Sequence, residues 1–419
     1  MADLLDRLAA SMKDKPLVRY YMKGFEECPD LLLKDLTIEA IRPDRWVKLK
    51  GRWVVNFGSD SFLGLDQDSR VQGAIRRGLE RWGTHNGSSR AFSSVASNVD
   101  AEARLARWLK TESTLIYPSV TLANHGAIPA LVSRHDVLVV DKDAHHSVQE
   151  GMMLVRSRRI KTASFAQGDP ADLERVLRSL RPYRHAVVAV DGIYSMTGTQ
   201  PPLAELRAVA EANDGILYVD DAHGTGILGE QGRGTVLDSL GDYKNTLVVG
   251  SLSKAFSCFG AFIACPEHVR MVLKIRSDPL IFGGPVPPPY LDAVCTVVDI
   301  LDSPEYLFFR ERLERNMAQF LAGVRALGLT VLGGVGAIAA IVVGDEHATL
   351  LAGRELFDHG FYVQSVVFPG VPHHGGVLRI QINANHRPES IAGLIEILSR
   401  LSKAGRLGTA AAPNRHAVA

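Results

Sequence analysis

The residues best suited to chemistry fall in five clusters, each directly after a short apolar run. Ser119, Val120 and Thr121 follow the run Thr114–Tyr117, and His145 follows Val137–Val140. Asp191 and Ser195 follow Ala186–Val190, while Asp220, Asp221 and His223 follow Ile216–Val219. Ser251 and Lys254 follow Thr246–Val249. A lysine is a poor nucleophile while protonated, but desolvation or a neighbouring cation frees its amine for Schiff-base chemistry. A helix opening at Ser119–Thr121 offers free backbone amides to an anion. Taken singly, most lysines are solvated charges, and a lone Asp or His is usually a cap or a satisfied loop residue. Together at equivalent edges of one sheet, these clusters point to a shared site.

The combined chemistry is that of pyridoxal 5'-phosphate. That cofactor needs an amine, an anion pocket and a carboxylate that keeps its pyridine nitrogen protonated. Lys254 supplies the amine. Ser119–Thr121 and Ser251 supply the phosphate site, and either Asp220 or Asp221 the carboxylate. Ser195 and His223 can hydrogen-bond the phenolic oxygen, and His145 can stack on the ring. Arg379, inside the alternating run 377–386, reads either as an outward edge charge or as a bidentate clamp on a substrate carboxylate.

The elements that must position these residues alternate between helix and apolar run from about residue 100 to 270. Continuous Val/Ile/Leu runs separated by helical patterns such as Pro170–Leu180 and Leu203–Ala212 indicate an α/β fold with a mostly parallel sheet buried on both faces. Ligands of such sheets sit outside the carboxyl ends of the strands. Trp46–Phe57 reads as a hairpin turning at Lys50-Gly51-Arg52, and Val71–Trp82 as an amphipathic helix, apolar at Val71, Ala74, Ile75 and Leu79. The expected division is an N-terminal segment 1–60, a large domain 61–292, a smaller α+β domain 293–403 and a disordered tail 404–419. The formal net charge of +1 argues against a nucleic-acid surface as the main business. The four cysteines lack paired spacing, so no disulfide or zinc framework is expected. No signal peptide or membrane span is legible, and a cytoplasmic setting is expected.

With these blocks in order, the sequence resembles the α-oxoamine synthases, a branch of the fold-type I pyridoxal phosphate enzymes. The resemblance runs from about Asn56 to His386. It rests on Asp191-Gly192-Ile193-Tyr194-Ser195-Met196, Asp220-Asp221-Ala222-His223-Gly224-Thr225-Gly226, Ser251-Leu252-Ser253-Lys254-Ala255 and the block around Arg379. It implies that Lys254 is the Schiff-base lysine, that Asp220 contacts the pyridine nitrogen, and that His223 contacts the phenolic oxygen. It also implies that His145 stacks on the ring and Arg379 holds the amino-acid carboxylate, with Asp60 as a second substrate-binding residue. The implied activity is condensation of an α-amino acid with an acyl-CoA or carrier-protein thioester, in a homodimer with shared active sites. An aminotransferase or a non-catalytic partner subunit are the rival readings. The chain departs from the family pattern at Asp60, usually Asn, near Asn98, where the family has a His and this loop is one residue shorter, and at Ser257, usually Gly. It departs again at Val120-Thr121 and Gly283-Gly284, which stand for a Gly-aromatic and a Ser-Thr pair.

Overall fold

The computed structural model describes residues 3–27, 29 and 31–407. Its centre is a seven-stranded sheet in the order Ser113–Tyr117, Ala261–Cys265, Thr246–Ser251, Gly215–Asp220, Ala186–Asp191, Val137–Asp141 and Lys161–Phe165. Side chains alternate across it. Val137, Val139, Val188, Val190, Leu217 and Val219 enter one apolar core. Leu138, Val140, Val187, Ala189 and Tyr218 enter the core on the other face. Helices Val120–Leu131 and His146–Ser157 cover that second face through Ala123, Ile128, Val148 and Met152. Both faces are thus dry, which is why these strands read as unbroken apolar runs.

Two features of this sheet differ from the sequence expectation. Ala261–Cys265 runs antiparallel to both its neighbours, with Ala261 opposite Ser251 and Tyr117. The connection through residues 252–260 is too short for a crossover, so the chain can only turn back. The edge strand Lys161–Phe165 was not among the apolar runs, because its Lys-Thr-Ala-Ser-Phe sequence is half exposed.

The remaining strands form two small sheets. Ile38–Arg42, Trp46–Leu49 and Arg52–Asn56 make an antiparallel meander that Phe361–Tyr362 joins in parallel. The expected hairpin closes tightly, with Leu49 opposite Arg52 and both Lys50 and Gly51 at positive φ. That is the turn type whose twist matches paired strands. Val331–Gly333, Ile338–Gly344, Gly376–Gln381 and Gln364–Val366 form an antiparallel sheet. Two short neighbouring strands, Phe361–Tyr362 and Gln364–Val366, thus belong to different sheets.

Helix Pro288–Leu301 is continuous across residues 292 and 293, and it packs on helices Ser69–Trp82 and Ala96–Leu109. Gly78 forms that seam: a Cβ there would lie 2.7 Å from Pro289 Cα. Leu79, expected on the apolar face, instead points outward and is 48% exposed. Cys258, Cys265 and Cys295 are free thiols; Cys28 lies outside the described residues. Of the expected tail, only residues 404–407 are described, with Leu407 buried. No helix among the described residues is long and apolar enough to cross a membrane.

Candidate active site

Lys254 sits on the turn that follows strand Thr246–Ser251. The turn is closed by backbone bonds from Ser257 to Lys254 and from Cys258 to Leu252, each 2.8 Å. Burial pushes the Lys254 ammonium below its ordinary range and Arg379 adds to this, while Asp60, Asp220 and Asp191 oppose it. The amine makes no hydrogen bond among the described residues. A desolvated amine in this setting is nucleophilic.

The two adjacent strand ends place Asp191 beside Asp220. Burial, reinforced by Asp220, raises the Asp191 carboxyl well above the usual range. One Asp191 oxygen accepts the His145 backbone amide at 2.9 Å. Asp220 is held by Asn124, whose Nδ2 donates to it at 2.7 Å and to Ser147 Oγ at 2.8 Å. Asn124 Oδ1 in turn accepts the Tyr218 hydroxyl at 2.8 Å. Ser147 Oγ accepts from Asn124 and lies 2.7 Å from His145 Nδ1, and the Ser147 backbone amide donates to that same nitrogen at 3.3 Å. His145 Nδ1 is therefore unprotonated, and the ring presents Nε2–H. Burial, with Lys254 nearby, also lowers the His145 pKa, so the imidazole is neutral.

His223 is buried near the same edge. Burial, followed by Lys254 and Arg379, drives its pKa well below the ordinary value. Its ring makes no hydrogen bond among the described residues, leaving both nitrogens for a ligand. Asp221, the sequence alternative to Asp220, is committed elsewhere. Its oxygens accept Thr235 Oγ1, the Thr235 amide at 3.0 Å and Thr225 Oγ1 at 3.3 Å. It anchors the 221–235 loop.

The opposite wall comes from the small antiparallel sheet. Arg379 lies on its inner strand, between Ile338–Gly344 and Gln364–Val366, and is 5% exposed, which excludes the edge-charge reading. Its Nε donates to the Ser195 carbonyl and an Nη1 hydrogen to Gln364 Oε1, both at 2.6 Å. Nη2 faces Asp60 Oδ1 at 3.7 Å. Asp60 itself accepts Gln381 Nε2 at 2.5 Å. The Ser195 carbonyl thus orients Arg379.

At the far edge, Ser119 caps helix Val120–Leu131, its Oγ accepting the Leu122 amide at 3.2 Å. This leaves the Val120 and Thr121 amides at the helix start with no intrahelical partner. Ser251 is fully buried and its Oγ lies 3.0 Å from Ser253 Oγ. Asn124, Ser147, Gln364 and Gln381 are site residues that the sequence reading did not single out. Two carried a signal: Asn124 is an amide inside an apolar helix, and Gln381 shares a strand face with Arg379 by two-residue spacing.

A family model for aminotransferase class I and II matches residues 52–398. The 8-amino-7-oxononanoate synthase of Geobacter sulfurreducens is 35% identical over 358 residues, 85% of this chain and 91% of the relative. Synthase 1 of that name from Bacillus velezensis is 31% identical over 359 residues, covering 85% and 90%. Serine palmitoyltransferase of Sphingomonas wittichii superposes with a TM-score of 0.87 at 25% identity, covering 96% of this chain and 99% of that one. The chain belongs to the aminotransferase class I and II family and, within it, to the α-oxoamine synthases, which are fold-type I enzymes. Its cofactor is pyridoxal 5'-phosphate, and its class of reaction is acyl transfer.

Proposed function

We propose that the protein condenses a small α-amino acid with an acyl thioester, with loss of carbon dioxide and thiol, to give an α-amino ketone. One observation carries the reading: a lysine and a buried carboxylate at the carboxyl edge of the central sheet face a buried arginine from the small sheet opposite. The residues fit the cofactor. Lys254 is the amine without a protein partner, Asp220 the carboxylate for the pyridine nitrogen, and His223 the buried imidazole with free nitrogens for the phenolic oxygen. The Val120 and Thr121 amides, with the Ser119 and Ser251 hydroxyls, hold the phosphate. When bound, the cofactor supplies the electron sink that stabilises a carbanion at the amino acid's α-carbon.

The remaining work falls to the chain. Arg379 receives the amino acid's carboxylate, its free Nη2 edge offering charge-assisted hydrogen bonds. His145, held by Ser147, would stack on the cofactor ring and, with Arg379, orient the bound amino acid. Lys254 Nζ would take the α-proton. Burial lowers the pKa of its ammonium, which favours the free amine as a base.

The enzyme acts as a homodimer in this reading. Phe92, on a turn, and Phe282, at the end of helix Asp278–Phe282, are 88% and 81% exposed, and the Ser89 Oγ bond to the Ile281 carbonyl ties the two segments. Paired exposed aromatic rings mark a surface that another protein face covers. The departures at Val120-Thr121 and Gly283-Gly284 support a divergent acyl donor, a long-chain or carrier-bound thioester. The decisive experiment is a visible-absorbance titration of the purified holoprotein with glycine, alanine and serine, then with a panel of acyl-CoAs. A spectral response to one amino acid, followed by thiol release with one thioester, supports the synthase. Response to amino acids and to keto acids, without thiol release, would make it an aminotransferase.

A further inference from the structure

Arg379 is buried, yet its hydrogen bonds go to the neutral acceptors Ser195 O and Gln364 Oε1. Its ion-pair partner among the described residues is Asp60, with Oδ1 3.7 Å from Nη2, beyond hydrogen-bond reach. A buried guanidinium without a bonded anion is costly, so this edge favours an incoming carboxylate. Asp60 already stands there. It is also the charge that acts most strongly on Lys254.

Its position is built, not incidental. Gln381, fully buried, donates Nε2 to Asp60 Oδ1 at 2.5 Å. The neighbouring Ser61 is tied to Asp66 and to Ser257, both at 2.5 Å. Asn383 Nδ2 holds the Ser59 carbonyl at 3.0 Å. The loop is thus pinned on both sides of Asp60, and its carboxylate cannot leave without breaking the Gln381 bond. An arriving carboxylate must share Arg379 with a fixed like charge.

We propose that Asp60 determines amino-acid affinity and specificity as an internal counter-ion, competing with the substrate's carboxylate for Arg379. The inference rests on the reading of Arg379 as the carboxylate clamp. Asp60 holds down affinity for every α-amino acid, and it excludes amino acids that bring a second carboxylate, such as aspartate. Small neutral amino acids are the class that remains.

The test uses the holoprotein, with amino-acid binding followed by the absorbance of the bound cofactor. Asp60→Asn and Asp60→Ser both remove the charge, and serine does so without adding an amide donor. Both variants should bind glycine, alanine and serine about 10-fold more tightly than the wild type, as expected for loss of one nearby like charge. Aspartate should bind to the variants and not to the wild type. The pH midpoint of the cofactor band, read with no amino acid present, should fall by about one unit, because an anion beside Lys254 is gone. Tighter binding in Asp60→Asn alone would assign the gain to the new amide and overturn the proposal, as would unchanged affinities in both variants. Arg379→Ala with wild-type affinity would instead overturn the clamp reading, and this inference with it.

Discussion

Asn124 Nδ2 lies 2.7 Å from a carboxylate oxygen of Asp220, and the same amide nitrogen reaches Ser147 Oγ at 2.8 Å. One fully buried amide thus fixes the carboxylate at the end of one strand and, through Ser147, the tautomer of His145. Replacing Asn124 by Ala leaves the Tyr218 hydroxyl and the Asp220 oxygen short of a partner in a dry interior. The expected cost is about 1–3 kcal/mol of folding stability. Chemical denaturation measures it. Pyridoxal phosphate should also dissociate more readily, since Asp220 loses its orientation. Unchanged stability together with unchanged cofactor affinity would remove Asn124 from the site.

Asp221 gives a pH signature. Burial raises its carboxyl to about 7, although Thr235 and Thr225 oppose the shift. Three glycines make room for it: a Cβ at Gly192, Gly224 or Gly234 would fall 2.0 to 2.5 Å from its oxygens. Its folded pKa exceeds the unfolded one, so the native state holds the extra proton between about pH 4 and 7. The stability contribution is full below about pH 4 and falls as pH rises to about 7. Asp221→Asn should flatten this part of the stability profile. It should also cost about 1–3 kcal/mol near neutrality by misplacing donors against Thr235. Denaturant titrations of both proteins at pH 5 and pH 8 test the sign. A steeper profile in the variant would refute it.

The sequence made the central sheet legible because strands buried on both faces need continuous apolar runs. It made the polar strand ends legible because they collect at one edge. What escaped it depends on pairing between distant segments. Gln364 meets Arg379 only through strand register, and nothing local to residue 364 announces that contact. The choice between Asp220 and Asp221 turned on which way each side chain points, and adjacent residues on a strand end necessarily point oppositely. The reversed strand at 261–265 is apolar like its neighbours, so composition could not give its direction. The short connection before it could have.

Lys254→Ala should abolish the visible absorption of the cofactor, because no other amine replaces it at the turn. The fold should survive. The substitution removes a desolvated ammonium, so the cofactor-free form should be at least as stable as wild type. An intact visible band in the variant would assign the Schiff base to another lysine. A cofactor-free variant that unfolds well below the wild type would show Lys254 to be structural.

Ser257 offers a finer test of how the lysine turn is held. It sits at φ +54°, a left-handed conformation that favours glycine, and its Oγ lies 2.5 Å from Ser61 Oγ on the Asp60 loop. Two effects of similar size therefore oppose each other. Ser257→Gly relieves the backbone and loses the hydroxyl, with a relief of about 0.5–1 kcal/mol against a bond worth about 0.5–1.5 kcal/mol. Its stability should stay close to wild type. Ser257→Ala keeps the strained backbone and loses the bond, so it should be the less stable of the two by about 1 kcal/mol. Equilibrium denaturation ranks the three proteins. If the hydroxyl also ties Lys254 to Asp60, both variants should lower kcat more than they raise the KM for the amino acid. Alanine as stable as glycine would mean that the turn, not the side chain, sets the conformation at this position.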